Sequence, residues 1–134
     1  MPIKSFIENG RVPVTVVRVQ GNIDASTSEM FQAKANELIN NGARRILIDL
    51  TNSPFVSKAG LRALYQLFNT LRAIHPDANL SEEEVRKGIR LGTYKSPHLK
   101  LLNLSKETKT FFAMRGFDMF IETFDDMQTA IASF

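Results

Sequence analysis

The fold is decided by residues 45–71, which read RILIDLTNSPFVSKAGLRALYQLFNTL. Residues 45–50 form an apolar run with a single acid, as expected for a short strand buried in a sheet that helices cover. From residue 58 onward, apolar side chains recur at intervals of three and four, which predicts an amphipathic helix. These side chains are Leu61, Leu64, Tyr65, Phe68 and Leu71. Pro76 cannot continue a helix, so we expect this helix to span about residues 58–73.

Toward the N-terminus, the sequence predicts a hairpin followed by another helix. Residues 12–20 are rich in valine and predict a strand, and residues 3–7 can pair with it through the intervening Glu-Asn-Gly turn. Ser26 and Glu29 have the spacing of a capping box, which predicts a helix with Ser26 as its N-cap. The Asn-Asn-Gly at 40–42 should end that helix.

Toward the C-terminus, the pattern of strand and helix continues. Residues 99–102 predict a further strand, and Ser105 predicts the N-cap of a helix that Gly116 closes. Residues 120–124 predict a last strand. The acids of residues 123–126 suit the beginning of a terminal helix, because carboxylates are favourable at the positive end of the helix dipole.

The order of these elements predicts an α/β fold with a mixed, mainly parallel central sheet and about four helices. In such a sheet, the loops that follow the strands' C-terminal ends share one edge, where ligands and partners usually dock. Two loops, 21–26 and 51–60, should therefore lie together at that edge.

An inserted segment at about 75–97 interrupts the alternation, since a few residues suffice to link a helix to a strand. Ser81 and Glu84 form a second capping box, which predicts a short helix ending near Gly88. We expect a solvated elaboration at the sheet edge opposite the two loops. A second docking surface for an acidic partner is the alternative, because basic residues follow the capping box with no acid among them. These are Arg86, Lys87, Arg90, Lys95 and Lys100.

The composition indicates one globular domain over residues 1–134. The 17 basic and 14 acidic residues leave a net charge of +3, which is too small an excess to indicate nucleic-acid binding. The absence of cysteine excludes disulfides, cysteine nucleophiles and cysteine-based zinc sites. No apolar run approaches the roughly 20 residues that cross a bilayer, and the N-terminus lacks the pattern of a signal peptide. We therefore expect a cytoplasmic protein.

The sequence gives no sign of catalysis. His75 and His98 have no carboxylate or hydroxyl partner at a recognisable spacing, and both are expected to be solvated. There is no cluster of metal-ligating residues and no glycine-rich phosphate-binding loop. We accordingly predict no catalytic residue, no metal and no cofactor, and a protein that is not an enzyme.

Four segments, in order, resemble the STAS domain of anti-sigma factor antagonists. One segment begins with Asp49-Leu50, which is similar to the Asp-Leu that ends a strand in the family. It continues with Phe55-Val56, similar to the family's aromatic–aliphatic pair, and with Gly60-Leu61, similar to the end of the Asp-Ser-Ser/Thr-Gly-Leu that opens the family's helix. A second segment, GNIDAST at 21–27, is similar to the family's Gly-x-Leu/Ile-Asp-x-x-Thr. The third is LLNLS at 101–105, which resembles the strand and cap after the family's second helix. The fourth is Gly116-Phe117 followed by Phe120, Ile121 and Asp125, which resembles the family's ending. The resemblance covers about residues 14–134 apart from the insertion. It implies a STAS-like fold and a regulatory, partner-binding role.

The resemblance also implies a phosphorylation switch, and here the sequence departs from the family. In the family, a partner anti-sigma kinase phosphorylates the first Ser of the helix opening, and the unmodified domain binds that kinase and frees the sigma factor. The matching position is Lys58, and Ala59 removes the next hydroxyl. Ser57 stands where the family has Asp. We expect Ser57 to be the helix N-cap, and a shifted phosphosite is the alternative.

The resemblance therefore implies a binding module without the usual phosphoswitch. Its partner would be an anti-sigma factor, a kinase-like regulator or another STAS protein, and a homodimer stays open. The expected partner-binding residues are Asp24, Ser57, Lys58, Ala59, Gly60 and Arg62. Asp24 either shapes the turn before Ser26 or belongs to the docking face, and it can also form an ion pair with Lys58. Two other functions stay open: a STAS-like structural subunit of a lipid or anion transport system, and a small-ligand sensor.

Overall fold

The computed structural model describes residues 2–74 and 80–134. The strands are β1 (Ile3–Asn9), β2 (Pro13–Gln20), β3 (Ile46–Asn52), β4 (Leu99–Leu102) and β5 (Thr123–Phe124). The α-helices are α1 (Ser28–Asn40), α2 (Lys58–Ile74), α3 (Glu82–Leu91), α4 (Lys106–Met114) and α5 (Met127–Ala132), with a 3₁₀ helix at Phe117–Met119. The expectation for His75 lies outside the described residues.

The described strands form one sheet in the order β1-β2-β3-β4-β5. Strands β1 and β2 pair antiparallel, as the predicted hairpin requires, and β2, β3, β4 and β5 run parallel. This topology confirms the predicted α/β class with a mixed, mainly parallel sheet. The described residues form five α-helices rather than about four, because the inserted segment contains the complete helix α3.

The larger hydrophobic core lies between one face of the sheet and helices α1, α2, α3 and α4. Burial of apolar side chains is the main force that holds these layers together. Leu61, Leu64, Phe68 and Leu71 of α2 are buried there, as their periodicity predicted. Tyr65 differs from the others, because 40% of its surface stays exposed at the rim.

The opposite face of the sheet carries a smaller core that α5 covers. Lys100 of β4 is buried there, and its ammonium donates to the backbone oxygen of Ser133 at 2.8 Å and lies 3.4 Å from the Glu122 carboxylate. The charge is thus satisfied inside the molecule. Lys100 is therefore not part of the exposed basic run in which the sequence pattern placed it.

Helix α3 begins at the predicted capping box, with both of its hydrogen bonds formed between Ser81 and Glu84. The helix continues past Gly88 to Leu91 and ends at Gly92, which has φ +74°. Val85 is buried in the larger core. Most of α3 is exposed, as expected of a solvated elaboration, but its buried Val85 also packs this segment against the rest of the fold.

Two local expectations near the C-terminus were also wrong. Only Thr123–Phe124 of the predicted strand at 120–124 pairs with β4, because Phe120 closes the preceding 3₁₀ helix and turns inward. His98 is buried at the beginning of β4 rather than solvated.

Candidate docking site at the start of helix α2

The loop between β3 and α2, residues 53–57, ends in the predicted helix start. The amide of Gly60 donates to Ser57 Oγ at 3.3 Å, and the amide of Leu61 donates to the Ser57 carbonyl at 2.8 Å. A hydroxyl that accepts from the third residue of a helix is the geometry of an N-cap. Ser57 therefore holds the first turn of α2, of which Lys58 is the first residue.

The loop between β2 and α1 lies directly against this loop, as the shared sheet edge predicted. Ile23 and Val56 form a parallel bridge. The Ile23 amide donates to the Phe55 carbonyl at 3.0 Å, and the Ser57 amide donates to the Ile23 carbonyl at 2.9 Å. Backbone bonds thus join the two loops into one surface and fix their relative position.

Gly60 is buried where α2 approaches the β2–α1 loop. A Cβ atom at this position would lie 2.4 Å from the Ile23 carbonyl oxygen and 2.7 Å from a methyl group of Val56. The close approach of the two backbones therefore requires glycine, for a steric reason rather than a conformational one. The structure gives Gly60 a packing role beneath the surface that a partner would meet.

The Asp24 carboxylate organises the turn that leads into α1. Oδ1 accepts from the Ser26 amide at 2.9 Å and from Ser26 Oγ at 2.6 Å. The hydrogen bonds from the side chain and then the backbone of Ser26 are the main causes that lower the pKa of Asp24 below its ordinary value of 3.8. Asp24 is consequently an anion at neutral pH, held in a fixed orientation.

These bonds overturn two expectations. Ser26 does not cap α1, because its hydroxyl and amide are bound to Asp24; the N-cap is Thr27, which makes no side-chain cap bond. The ion pair between Asp24 and Lys58 does not form among the described residues, whose ion pairs include neither side chain.

The side chains that project from the start of α2 are basic. Lys58 and Arg62 are exposed and lie one helical turn apart, whereas Ala59 is half-buried. Within the described part of the chain, neither cation has an acidic partner. A partner that reaches this edge would therefore meet two unpaired positive charges.

The loop between β4 and α4 supports the site from the other side. Asn103 Nδ2 donates to Thr51 Oγ1 at 2.8 Å, and Ser105 Oγ donates to the Pro54 carbonyl at 2.7 Å. Asn103 has φ +58°, a left-handed conformation that asparagine tolerates better than most residues. Our sequence reasoning identified Ser105 only as a cap and missed Asn103, although an asparagine just after a buried strand was an available signal.

Beneath the loop, Asp49 anchors the end of β3. Oδ1 accepts from the amide of Thr51 at 3.0 Å, and Oδ2 accepts from Arg18 Nε at 2.9 Å. Burial raises the pKa of Asp49, but the hydrogen bonds from Thr51 and the Arg18 guanidinium outweigh burial, so the pKa lies below 3.8. This carboxylate stabilises the loop and is not presented to a partner, since it is buried.

The described residues contain no group of three or more His, Asp or Glu side chains placed to hold a metal ion. In the same residues, the structure has no helix of the length and apolarity that a bilayer crossing requires.

Known proteins resemble this chain in both sequence and fold. A model of the STAS domain family matches residues 6–77. Over 64 residues the chain is 28% identical to BtrV, a candidate anti-sigma factor antagonist of Bordetella bronchiseptica, and the match covers 48% of this chain and 55% of BtrV. The chain thus spans about half the length of this curated relative.

Two solved structures extend the likeness to nearly the whole chain. The candidate anti-sigma factor antagonist TM1081 of Thermotoga maritima gives a TM-score of 0.72 at 11% identity, covering 96% of this chain and 91% of its own. An anti-sigma factor antagonist of Mycobacterium paratuberculosis gives a TM-score of 0.67 at 17% identity, covering 98% and 93%. At these identities the two structures establish a common fold.

Proposed function

This chain belongs to the STAS domain family, and we propose that it is a regulatory protein-binding module of the anti-sigma factor antagonist type, acting in the cytoplasm without catalysis. Its partner is an anti-sigma factor, a kinase-like regulator or another STAS protein. The proposal is supported by the names of the relatives, which are anti-sigma factor antagonists or candidates for that role.

The observation that carries the proposal is the exposure of Lys58 at the first position of α2. Three loops meet around this position and are cross-linked by hydrogen bonds, so its backbone is held rigidly. A rigid surface loses little conformational entropy when a partner binds, which favours recognition. Docking therefore takes place through Asp24 and the exposed side chains of residues 57–62.

The same position argues against the phosphoswitch of the family. Lys58 occupies the place that matches the phosphorylated serine, and an amine cannot accept a phosphoryl group from a serine kinase. Ser57 retains a hydroxyl, but that hydroxyl caps α2 through Gly60. We infer that binding is constitutive or is regulated away from this position.

The test is a pull-down from the native host with wild-type protein, Lys58→Glu and Arg11→Glu. Arg11 is exposed in the β1–β2 turn, at the end of β2 opposite the β2–α1 loop. Its substitution therefore changes the net charge as much as Lys58→Glu does, without touching the candidate site. We expect wild type and Arg11→Glu to retain an anti-sigma factor, a kinase-like ATPase or a STAS protein, and Lys58→Glu to lose it.

Two results would refute the proposal: no protein of these classes bound to wild type, or the same proteins bound to Lys58→Glu. The intact mass of the protein from its host tests the inference on phosphorylation. We expect no phosphate on Ser57, and a phosphate mapped to that residue would show that the switch has moved by one residue.

A further inference from the structure

A groove beside the proposed docking site joins α2 to the turn after α4. It has a volume of about 230 Å³ and is lined by Lys58, Leu61, Arg62, Tyr65, Arg115 and Phe117. Its described lining residues include three cations and no acid. Sequence reasoning missed Arg115 and Phe117 as members of this surface, because they come from a distant part of the chain.

A second groove begins on the other side of Tyr65. It has a volume of about 450 Å³ and is lined by Tyr65, Glu83, Arg86, Ile89 and Arg90. Tyr65 lines both grooves, so the exposed face of α3 and the start of α2 form one continuous surface. We name it the basic face, defined by Lys58, Arg62, Tyr65, Arg86, Arg90 and Arg115.

The charge of the basic face is not balanced within the protein. In the part of the chain that the structure describes, none of its five cations forms an ion pair. Among the described residues that line either groove, Glu83 is the one acid. Clustered like charges repel one another, and a carboxylate-bearing ligand would relieve that repulsion while accepting bidentate bonds from the arginines.

The floor between these cations is formed by aromatic rings that pack against one another. The rings of Tyr65 and Phe117 stack with centroids 5.6 Å apart, and Tyr65 also packs against Phe68 at 6.0 Å. The Arg115 guanidinium lies 5.2 Å from the centroid of the Phe111 ring. A half-exposed tyrosine held among arginines is typical of the residues that dominate binding energy at protein interfaces.

We propose that the basic face binds an acidic segment of a partner protein that carries an aromatic or aliphatic side chain, with Tyr65 as the central contact and α3 as the element that selects the partner. The inference rests on the proposed function, since it extends the same surface. A protein segment fits better than a nucleic acid, because the net charge of the chain is only +3 and nucleic-acid binding depends on neutralising many phosphates.

The first test is NMR titration of the ¹⁵N-labelled protein with three probes. The probes are a short poly-Glu peptide with one central Phe, the same peptide with Gln in place of Glu, and oligo-dT. We expect the acidic peptide alone to shift the amide signals of Arg62, Tyr65 and Arg86. Binding should weaken as salt is added, since salt screens exposed charges.

Charge reversal supplies the matched variants. We expect Arg62→Glu combined with Arg86→Glu to weaken binding of the acidic peptide by at least about tenfold, whereas Lys4→Glu combined with Arg11→Glu changes it by less than about twofold. The two double variants alter the net charge equally, and all four side chains are exposed. Thermal melts of both variants establish that they are folded.

Three results would overturn the inference: shifts that map elsewhere, equal losses in the two double variants, or oligo-dT binding to the same face as well as the acidic peptide does. The pull-down separates this failure from failure of the proposed function. If Lys58→Glu loses the partner but Arg86→Glu with Arg90→Glu keeps it, the proposed function stands and the role of α3 falls. If the wild-type protein retains no anti-sigma factor, kinase-like ATPase or STAS protein, the proposed function is refuted, whatever the peptide titrations show.

Discussion

At the scale of single residues, Gly60 sets the distance between α2 and the β2–α1 loop. Gly60→Ala would improve helix propensity by about 1 kcal/mol if the space were free. The Ile23 carbonyl instead lies 2.4 Å from the position of the new Cβ atom. We expect a net loss of about 1–3 kcal/mol in the free energy of unfolding, because backbone must move to make room. Urea denaturation measures this loss.

The neighbouring helical position provides the control for Gly60. Ala59→Gly removes a methyl group that is only half-buried, so we expect it to cost no more than about 1 kcal/mol. If Gly60→Ala stabilised the protein while Ala59→Gly destabilised it, helix propensity would outweigh the close contact. The packing of the candidate docking site would then be looser than the structure indicates.

Asp49 gives the residue-scale prediction for pH. Its pKa in the folded protein lies below 3.8, so the ionised form stabilises the fold above that pH, and the contribution disappears as pH falls through the folded pKa. We expect Asp49→Asn to lower the free energy of unfolding at pH 7 by about 1–3 kcal/mol, because the bonds to Arg18 and Thr51 lose their charge. Urea denaturation at pH 7 and at pH 3 measures the difference.

The loss of unfolding free energy caused by Asp49→Asn should be smaller at pH 3, because there the ionised Asp49 of the wild type contributes less to stability than at pH 7. The loss of stability caused by Asp126→Asn can be compared with it at the same two pH values, since the pKa of Asp126, an exposed helix cap, is also lowered, chiefly by the Thr129 amide. A loss that is equal at both pH values would show that Asp49 acts through packing rather than through its charge.

At the scale of elements, the sequence correctly predicted the helices and strands whose pattern of apolar residues is long and locally consistent. Helix α2 was expected at 58–73 and spans Lys58–Ile74, because its apolar periodicity persists over many turns. The predicted N-cap at Ser26 failed because the carboxylate of Asp24, two residues earlier, captures the same hydroxyl. Short polar side chains offer several local bonding patterns, and sequence spacing does not decide among them.

The residues of the candidate site also differ in whether the sequence alone could place them. Lys58 and Arg62 could be placed from the sequence, because the periodicity of α2 fixes where the helix begins and which side faces outward. Arg115 could not, since its position beside Tyr65 depends on the 3₁₀ helix that stacks Phe117 on that ring. Such contacts arise from tertiary packing, for which a single sequence carries no periodic signal.

Helix α3 yields the prediction at the element scale. Val85 is 1% exposed in the larger core, whereas Leu91 of the same helix is 65% exposed. We expect Val85→Ala to cost about 2 kcal/mol of unfolding free energy, since it leaves a cavity in a packed core. Leu91→Ala should change stability by less than about 0.5 kcal/mol. Equal effects of the two substitutions would show that α3 is not anchored through Val85.

At the scale of the whole molecule, the continuity of the larger core predicts that the chain unfolds as a single unit. This core receives side chains from α1, α2, α3 and α4 on one face of the sheet. The two tyrosines, Tyr65 and Tyr94, both belong to the aromatic cluster between α2, α3 and the 3₁₀ helix. Tyrosine fluorescence therefore reports on this region, while far-ultraviolet circular dichroism reports on all helices. We expect the two urea transitions to coincide, as two-state unfolding requires.

Val85→Ala makes this test of cooperativity sharper. If the inserted segment belongs to the same cooperative unit, the substitution shifts the fluorescence and dichroism midpoints by the same amount, because destabilising one part destabilises the whole. If α3 forms a separate unit, fluorescence moves to lower urea while most of the dichroism signal stays in place. That separation would mean that residues 1–134 are not one domain in the thermodynamic sense, and that the basic face spans two units that can move relative to each other.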